Sequence, residues 1–254
     1  MPSIPIDVLR EILEHVHQAD LATLCRVNKI VGSCSQDVLY RKIVGNTTDG
    51  NKEIIQVLAQ STDLARRVRS FHTFSEHPKL AKALRNMSSL RRLNLEYIIE
   101  ASILDGCTFK LDSFELDAFE TTSLSKSLQN FLNSQPSLTS VTIWRDCKPL
   151  PPFDERCLPN LTRAAALPSW LGTLIPGRPV REVMVVGSRP GDSIDFSIFT
   201  LSTAPIRKLQ IGYQLLHPTP GSHLASIFPS LEHLTIGAYD VNWAVSIPPL
   251  FNKC

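Results

Sequence analysis

The first thirty residues place apolar and polar side chains with the period of an amphipathic helix. Apolar residues recur on one predicted helical face at Leu9, Ile12, Leu13 and Val16. Pro5 suits a first helical turn, because its φ is already helical and its missing N–H has no partner there. Asp20 is predicted to cap a second helix, and a third apolar stretch, "DVLYRKIV", follows. About ten large apolar side chains do not clearly offset the entropy of ordering some forty residues, so the stripe needs a partner.

A different pattern fills the chain after the loop at 45–51. Six segments read apolar-x-x-apolar-x-apolar, with a polar or small residue at nearly every x. They are "LRRLNL" (90–95), "LDSFEL" (111–116), "LTSVTI" (138–143), "VREVMV" (180–185), "IRKLQI" (206–211) and "LEHLTI" (231–236). "LTRAAA" (161–166) is a degenerate copy. The segments start 19 to 27 residues apart, close to the ~20–29-residue period of leucine-rich repeats.

The intervals between these segments favour helices that lead into strands. "PKLAKALRNMSS" and "TSLSKSLQNFLNSQPS" have helical patterns, and the recurring "PSL" or "PNL" marks the corner from helix to strand. The sequence therefore predicts an α/β fold in which a curved leucine-rich-repeat solenoid carries a parallel inner sheet. The alternative is an ordinary α/β domain, but its buried strands would usually be continuous Val and Ile runs.

The register of these segments predicts which strand residues are buried. Those expected inside are Leu93, Leu95, Leu116, Val141, Ile143, Val183, Val185, Leu209, Ile211, Leu234 and Ile236. Those expected on one common exposed face are Asn94, Glu115, Thr142, Gln210 and Thr235.

Composition limits the function classes. The 254 residues are 43 % hydrophobic and 20 % charged, as in globular proteins, and the net charge of +2 gives no strong field for nucleic acid or membrane. The six cysteines form no C-x-x-C pair, which favours reduced thiols in a cytoplasmic or nuclear protein. No apolar run is long enough to span a membrane.

Residues 4–43, "IPIDVLREILEHVHQADLATLCRVNKIVGSCSQDVLYRKI", resemble the F-box. The usual pattern of that family is Leu-Pro-x-Glu-hydrophobic-Leu, a helix, Asp-Leu, a second helix with Cys or Val, and Leu-Tyr-Arg. The matching positions are Pro5, Leu9, Ile12, Leu13, Asp20, Leu21, Val27, Leu39, Tyr40 and Arg41. Asp7 stands where Glu is commoner, and Ile30 or Val31 stands where many F-boxes carry Trp.

Together with "ARRVRSF" and "LIPGRPVREV" (174–183), this motif and the irregular repeats resemble the F-box/leucine-rich-repeat proteins abundant in mushroom-forming fungi. The resemblance implies a substrate-recognition adaptor of a Skp–cullin–F-box ubiquitin ligase. The apolar stripe would then fill a groove of the Skp adaptor, and through it reach a cullin. The implied contact residues are Pro5, Leu9, Ile12, Leu13 and Leu21.

Candidate chemistry within the chain is sparse. His15 and His17 lie two residues apart, so on a helix they point to different sides and do not form a metal pair. "GSRPGDS" (187–193) lacks the Gly-Lys-[Ser/Thr] of a phosphate loop, and the short basic runs lack the aromatic residues of nucleic-acid sites. We therefore expect no enzyme, no cofactor and no metal.

Outward strand positions suggest where an unknown substrate protein binds. Trp144 stands out, because a large aromatic on a solvated face is a common interface anchor. A Trp covered by a neighbouring loop, or plain solvent contact, are the alternatives. The predicted substrate-binding residues are Arg92, Glu96, Glu115, Asp117 and Trp144.

The predicted organisation has two parts. Residues 1–44 form the F-box, 45–51 a linker, and 52–254 the repeat array, with an irregular first repeat at 52–74. Cys254 follows a regular repeat without an evident polar cap, so a truncated C-terminus is one interpretation. The alternative function is a leucine-rich-repeat interaction scaffold whose N-terminal helices are only a cap, with no ligase link.

Overall fold

The computed structural model describes residues 4–45, 48–74, 77–98, 101–118, 124–144, 153–154, 156–186, 193–216 and 221–237. The helices in these ranges are α1 (Ile6–Glu14), α2 (Gln18–Leu24), α3 (Lys29–Arg41), α4 (Thr48–Gln60), α5 (Thr62–Ala65), α6 (Leu80–Asn86), α7 (Leu124–Asn133), α8 (Pro168–Leu174), α9 (Tyr213–Leu216) and α10 (Gly221–Ile227). The strands are β1 (Lys42–Val44), β2 (Ser70–Thr73), β3 (Arg92–Ile98), β4 (Ser113–Ala118), β5 (Ser140–Ile143), β6 (Arg163–Ala166), β7 (Glu182–Val185), β8 (Lys208–Gly212) and β9 (His233–Gly237). Two 3₁₀ helices span Ala101–Leu104 and Phe196–Leu201.

The first three helices pack around a small core of their own. Leu13, Leu21 and Cys34 are buried there, which confirms the predicted helices at the N-terminus. The predicted cap of the second helix is wrong, because His17 and not Asp20 occupies the N-cap and accepts from the Ala19 N–H at 3.4 Å. Gly32 allows α3 to approach α2 closely, since a Cβ at that position would lie 2.7 Å from the Cys25 carbonyl oxygen.

The rest of the described chain is organised by one sheet. Nine strands within the described ranges pair in chain order, β1 to β9, and every pair is parallel. Alternate side chains of strands β1 to β8 face the helices and form one continuous core with them. We call the opposite side, which carries the other alternate side chains, the open face.

The predicted register is confirmed over most of the sheet. Nine of the eleven residues expected inside are buried: Leu93, Leu95, Leu116, Val141, Ile143, Val183, Val185, Leu209 and Ile211. The five residues expected on one common face lie on the open face, half-buried in four cases and exposed at Thr235. They belong to one row across the sheet, in which Ala165 and Met184 connect Thr142 to Gln210.

The prediction is wrong for the last strand. Leu234 is 45 % exposed and Ile236 is 54 % exposed, although their register partners in β8 are buried. The reason is position: β9 is the last strand that the structure describes, and no described element packs beyond it. An apolar strand residue is buried only if a neighbouring unit covers it.

The structure describes most of the segment that the sequence assigned to the end of the F-box and the linker. Residues 42–44 form β1, which pairs with β2, and the predicted linker at 45–51 includes the start of α4. The N-terminal helices are therefore continuous with the sheet, since α3 ends at the residue before β1.

Further contacts fix the junction between α3 and the sheet. Asp37 of α3 accepts from Arg67, and the Arg67 Nη1 also donates to the Ser33 carbonyl at 3.1 Å. The Arg69 N–H donates to the Arg41 carbonyl at 2.9 Å. Tyr40 packs against the main core.

One buried cation, Arg178, lies near the middle of the sheet. Gly177 has a φ of 75° and turns the chain after α8. The side chain of Arg178, which follows this turn, points back toward the end of α8. Its guanidinium donates to the carbonyls of Thr173 at 3.1 Å, Pro176 at 2.5 Å, Cys157 at 2.9 Å and Asp154 at 3.1 Å. Arg178 therefore joins the end of α8 to the segment that precedes β6.

Candidate protein-interaction surfaces

Exposed apolar side chains are concentrated on the N-terminal helices. Among the described residues, six of the large exposed apolar side chains lie between positions 4 and 30: Ile4, Ile6, Val8, Ile12, Val27 and Ile30. Val8 (46 % exposed) and Ile12 (50 % exposed) lie one turn apart on α1, so they form a pair on the same flank of that helix. A soluble protein rarely leaves such a group uncovered unless a partner binds there.

The five residues predicted to contact a Skp adaptor fall into three groups. Pro5 and Ile12 are exposed, and Leu9 is half-buried against the small core. Leu13 is 2 % exposed and Leu21 is 4 % exposed, because both lie between the three helices. In this structure Leu13 and Leu21 thus support the exposed surface from below, while Pro5 and Ile12 belong to it. Helical periodicity alone does not separate these two roles.

Ion pairs hold the helices that carry this surface. Arg10 of α1 donates to Asp37 of α3 at 3.3 Å, and Arg41 of α3 pairs with Glu14 of α1. Asp37 also accepts from Arg67, as described above. The exposed apolar side chains of α1 are therefore fixed relative to α3 and, through Asp37, relative to the first part of the sheet.

These first residues are also the part of the chain that a known family matches. Residues 1–42 match the F-box domain. F-box domains in general bind Skp adaptors, and the proteins that carry them are typically adaptors rather than enzymes. A comparison with the curated proteins found no match.

Four of the five predicted substrate-binding residues lie together on the open face. Glu96 and Asp117 are register partners, and Trp144 directly follows Ile143, the partner of Leu116. The Trp144 indole N–H donates to the Glu115 Oε1 at 2.5 Å, while the ring remains 41 % exposed. The His72 Nε2 lies 2.8 Å from the Glu96 Oε1. His72 was not among the predicted residues, although the alternation of "RSFHTF" puts it on the same face.

Arg92, the fifth predicted residue, lies apart from this group. It begins β3 and precedes Glu96 by four residues, a distance of roughly 13 Å along a strand. Its neighbours are Ser70 of β2 and Ser113 of β4, at the end of the sheet where the strands begin. The patch formed by His72, Glu96, Glu115, Asp117 and Trp144 is therefore acidic and aromatic; we call it the Trp144 patch.

The described residues offer little reactive chemistry. Within those ranges no group of three or more His, Cys, Asp or Glu side chains is placed to hold a metal ion. Burial raises the pKa of the Cys107 thiol to about 12, an effect that the nearby Arg85 only partly opposes. That thiol stays protonated at neutral pH and is a poor nucleophile. No helix in the described ranges is both long and apolar enough to cross a membrane.

Proposed function

We propose that this chain is the substrate-recognition adaptor of a Skp–cullin–F-box ubiquitin ligase, acting in the cytoplasm and/or nucleus. The N-terminal helices bind the Skp adaptor, which links the chain to a cullin, and the sheet binds an unknown substrate protein. The observation that carries the proposal is the coincidence of two independent features in the same 42 residues. These residues match the F-box domain, and they hold a cluster of exposed apolar side chains.

The physical argument for a helical partner comes from α1. Val8 and Ile12 project from one flank of an amphipathic helix whose Leu13 is buried and whose Leu9 is half-buried against the small core. An amphipathic helix of this kind docks by inserting such pairs into an apolar groove. In the proposed complex Pro5, Val8, Leu9 and Ile12 contact the Skp adaptor. Leu13 and Leu21 hold the helices in place.

We assign the sheet to a leucine-rich-repeat array. Its support is the in-register parallel pairing of consecutive strands and the recurrence of apolar-x-x-apolar-x-apolar at each strand from β3 onward, in degenerate form at β6. Such arrays expose one face of a long sheet and bind proteins there. The direct connection between α3 and β1 suits an adaptor, because it holds a bound substrate at a fixed position relative to the ligase.

Co-purification separates this function from its alternative. If the chain is a ligase adaptor, the full chain expressed in cells retains both a Skp adaptor and a cullin after stringent washing. If it is an interaction scaffold whose N-terminal helices only cap the sheet, other proteins are retained and those two are absent. Absence of the Skp adaptor, with the chain folded, contradicts the proposal.

The Trp144 patch is the proposed substrate site, because it combines a half-exposed aromatic ring with several carboxylates. Truncating a true anchor typically costs about 2 kcal/mol or more, roughly thirtyfold in affinity. We predict that Trp144→Ala weakens proximity labelling of the bound substrate protein while retention of the Skp adaptor is unchanged. Thr235→Ala, on the same face in β9, is the matched control. Equal labelling by Trp144→Ala and wild type removes Trp144 from the site.

A further inference from the structure

A basic concavity lies at the edge of the sheet where the first strands begin. It has a volume of about 510 Å³. Seven residues line it: Arg41, Lys42, Arg69, Ser70, Arg91, Arg92 and Asp112. Five cations thus face one carboxylate, an excess of four positive charges. Arg41 and Lys42 come from the junction of α3 and β1, and the other residues come from the starts of β2, β3 and β4.

The contacts of these cations show which of them are available. Arg41 pairs with Glu14, Arg91 lies 3.6 Å from the Asp112 carboxylate, and the Arg69 Nη1 donates to the Ser89 carbonyl at 3.1 Å. Lys42 and Arg92 have no ion-pair or hydrogen-bond partner for their side chains among the described residues. They are separated only by Ser70, their common register partner, and so lie roughly 10 Å apart at the strand spacing of a sheet.

A second basic cluster on the same row is neutralised. Arg163, Glu182 and Lys208 are successive register partners. The Glu182 carboxylate lies 2.6 Å from the Arg163 Nη2 and 2.9 Å from the Lys208 Nζ. The equivalent position in the first cluster, between Lys42 and Arg92, holds Ser70. The central carboxylate is therefore missing at one cluster and present at the other.

We propose that the basic concavity binds a compact small molecule that carries several phosphate groups. Each phosphate monoester carries about −1.5 to −2 charge at neutral pH, so two or more are needed to match the excess of four. Arginine and lysine side chains on neighbouring strands present charged N–H donors, and charge-assisted hydrogen bonds to phosphate are among the strongest in proteins. The volume falls within the ~300–1,000 Å³ typical of small-molecule sites.

The extent of the charge favours a compact ligand over an extended chain. Beyond Asp112, the next residues at this edge are Thr139 and Ser140, and neither is charged. A phosphorylated peptide running along the edge would therefore cross the uncharged start of β5, and the next cations on the row, Arg163 and Lys208, already pair with Glu182. A ligand confined to β1–β4 would instead join the end of α3 to the first strands, and it would stiffen the junction between the two proposed binding surfaces.

Calorimetric titration of the purified full chain with inositol hexakisphosphate tests the proposal. We expect micromolar binding and a rise in melting temperature on saturation. The double variant Lys42→Gln, Arg92→Gln should lose at least tenfold in affinity, because it removes the two cations that have no partner within the described part of the chain. The matched control Arg163→Gln, Lys208→Gln removes the same charge at the neutralised cluster and should bind within about twofold of wild type. Circular dichroism of both double variants, and of the single variants Lys42→Gln and Arg92→Gln, confirms that binding is compared between folded proteins.

Four outcomes contradict the proposal. The first is no measurable binding by the folded wild-type chain at 0.15 M salt. The second is an equal loss in both double variants, which would reduce the effect to general electrostatic attraction. Equal affinity for inorganic phosphate shows a single-anion contact. Tighter binding of a doubly phosphorylated peptide, lost in Lys42→Gln, Arg92→Gln, assigns the site to a protein segment.

Discussion

At the scale of single residues, Glu182 connects three neighbouring strands on the open face. Partial burial would raise the pKa of its carboxyl, but hydrogen bonds and charge from Lys208 and Arg163 outweigh that effect and hold the pKa below its usual range. A carboxyl with a lowered pKa in the folded state contributes stability above its unfolded pKa, and this contribution is lost as the pH falls through the folded value.

We predict that Glu182→Gln lowers the melting temperature at neutral pH slightly and flattens its fall between about pH 5 and pH 3. Exposed ion pairs are worth at most about 1 kcal/mol, or about 2–4 °C in a protein of this size. The measurement is the melting temperature as a function of pH for both proteins. A difference that persists unchanged at pH 3 contradicts the ion-pair account.

Arg178 is the residue whose burial the sequence least suggests. Charged side chains are seldom buried unless their donors are satisfied. The carbonyls of Asp154, Cys157, Thr173 and Pro176 meet this requirement. The Phe153 ring, whose centroid lies 5.6 Å from the guanidinium carbon, adds a cation–π contact. These contacts give a structural reason for the "GRP" within 174–183. Gly177 allows the turn, and the turn places Arg178 among the four carbonyls.

We predict that Arg178→Leu costs about 3–5 kcal/mol in the free energy of unfolding, because it leaves several buried carbonyls without donors. Arg178→Lys keeps the charge but offers a single nitrogen, so it should be intermediate. Urea denaturation measures both. A loss below about 1 kcal/mol for Arg178→Leu would show that water satisfies these carbonyls.

At the scale of elements, the burial of a strand's apolar side chains depends on the units packed beside it and not on its own sequence pattern. Ile211 of β8 and Ile236 of β9 are register partners with the same side chain, yet the first is fully buried and the second half-exposed. The two strands share the apolar-x-x-apolar-x-apolar pattern, so the pattern alone predicts equal burial. Only the presence or absence of a covering unit distinguishes them.

Ile211 and Ile236 together test whether β9 is covered by a packed neighbour, as β8 is. Ile211→Ala should destabilise the protein by about 2–4 kcal/mol, as in other buried Ile truncations. Ile236→Ala should cost less than about 1 kcal/mol, because little apolar surface leaves water there on folding. Chemical denaturation of the two variants provides the comparison. Equal losses would mean that β9 is covered in solution.

The strands were predictable because a strand buries two apolar side chains that lie two residues apart, as at Leu93 and Leu95. This spacing stays visible in the sequence even where the residues around it differ. The three-residue strand β1 was not, since "KIV" is too short to carry a pattern and its pairing with β2 depends on chain brought back by α4 and α5. The same limit applies to the surfaces. Trp144 was predicted on the open face from alternation, whereas the basic concavity depends on residues from four strands meeting at one edge.

At the scale of the whole molecule, the structure joins an exposed apolar surface to a long parallel sheet without an intervening linker. The stripe found in the first residues divides between two tasks. Leu13, together with Leu21 of α2, holds the three helices together, while Ile12, together with its neighbour Val8, remains available to a partner. The partner that we propose is a Skp adaptor.

The most direct test is the dissociation constant between the purified full chain and a purified Skp adaptor. Val8→Asp combined with Ile12→Asp places two charges in the proposed contact without touching the small core, and should weaken binding at least thirtyfold. Leu201→Asp, at an equally exposed apolar residue of the second 3₁₀ helix, should leave the constant within about threefold of wild type. If the folded double variant binds as tightly as wild type, or wild type does not bind at all, the account is contradicted.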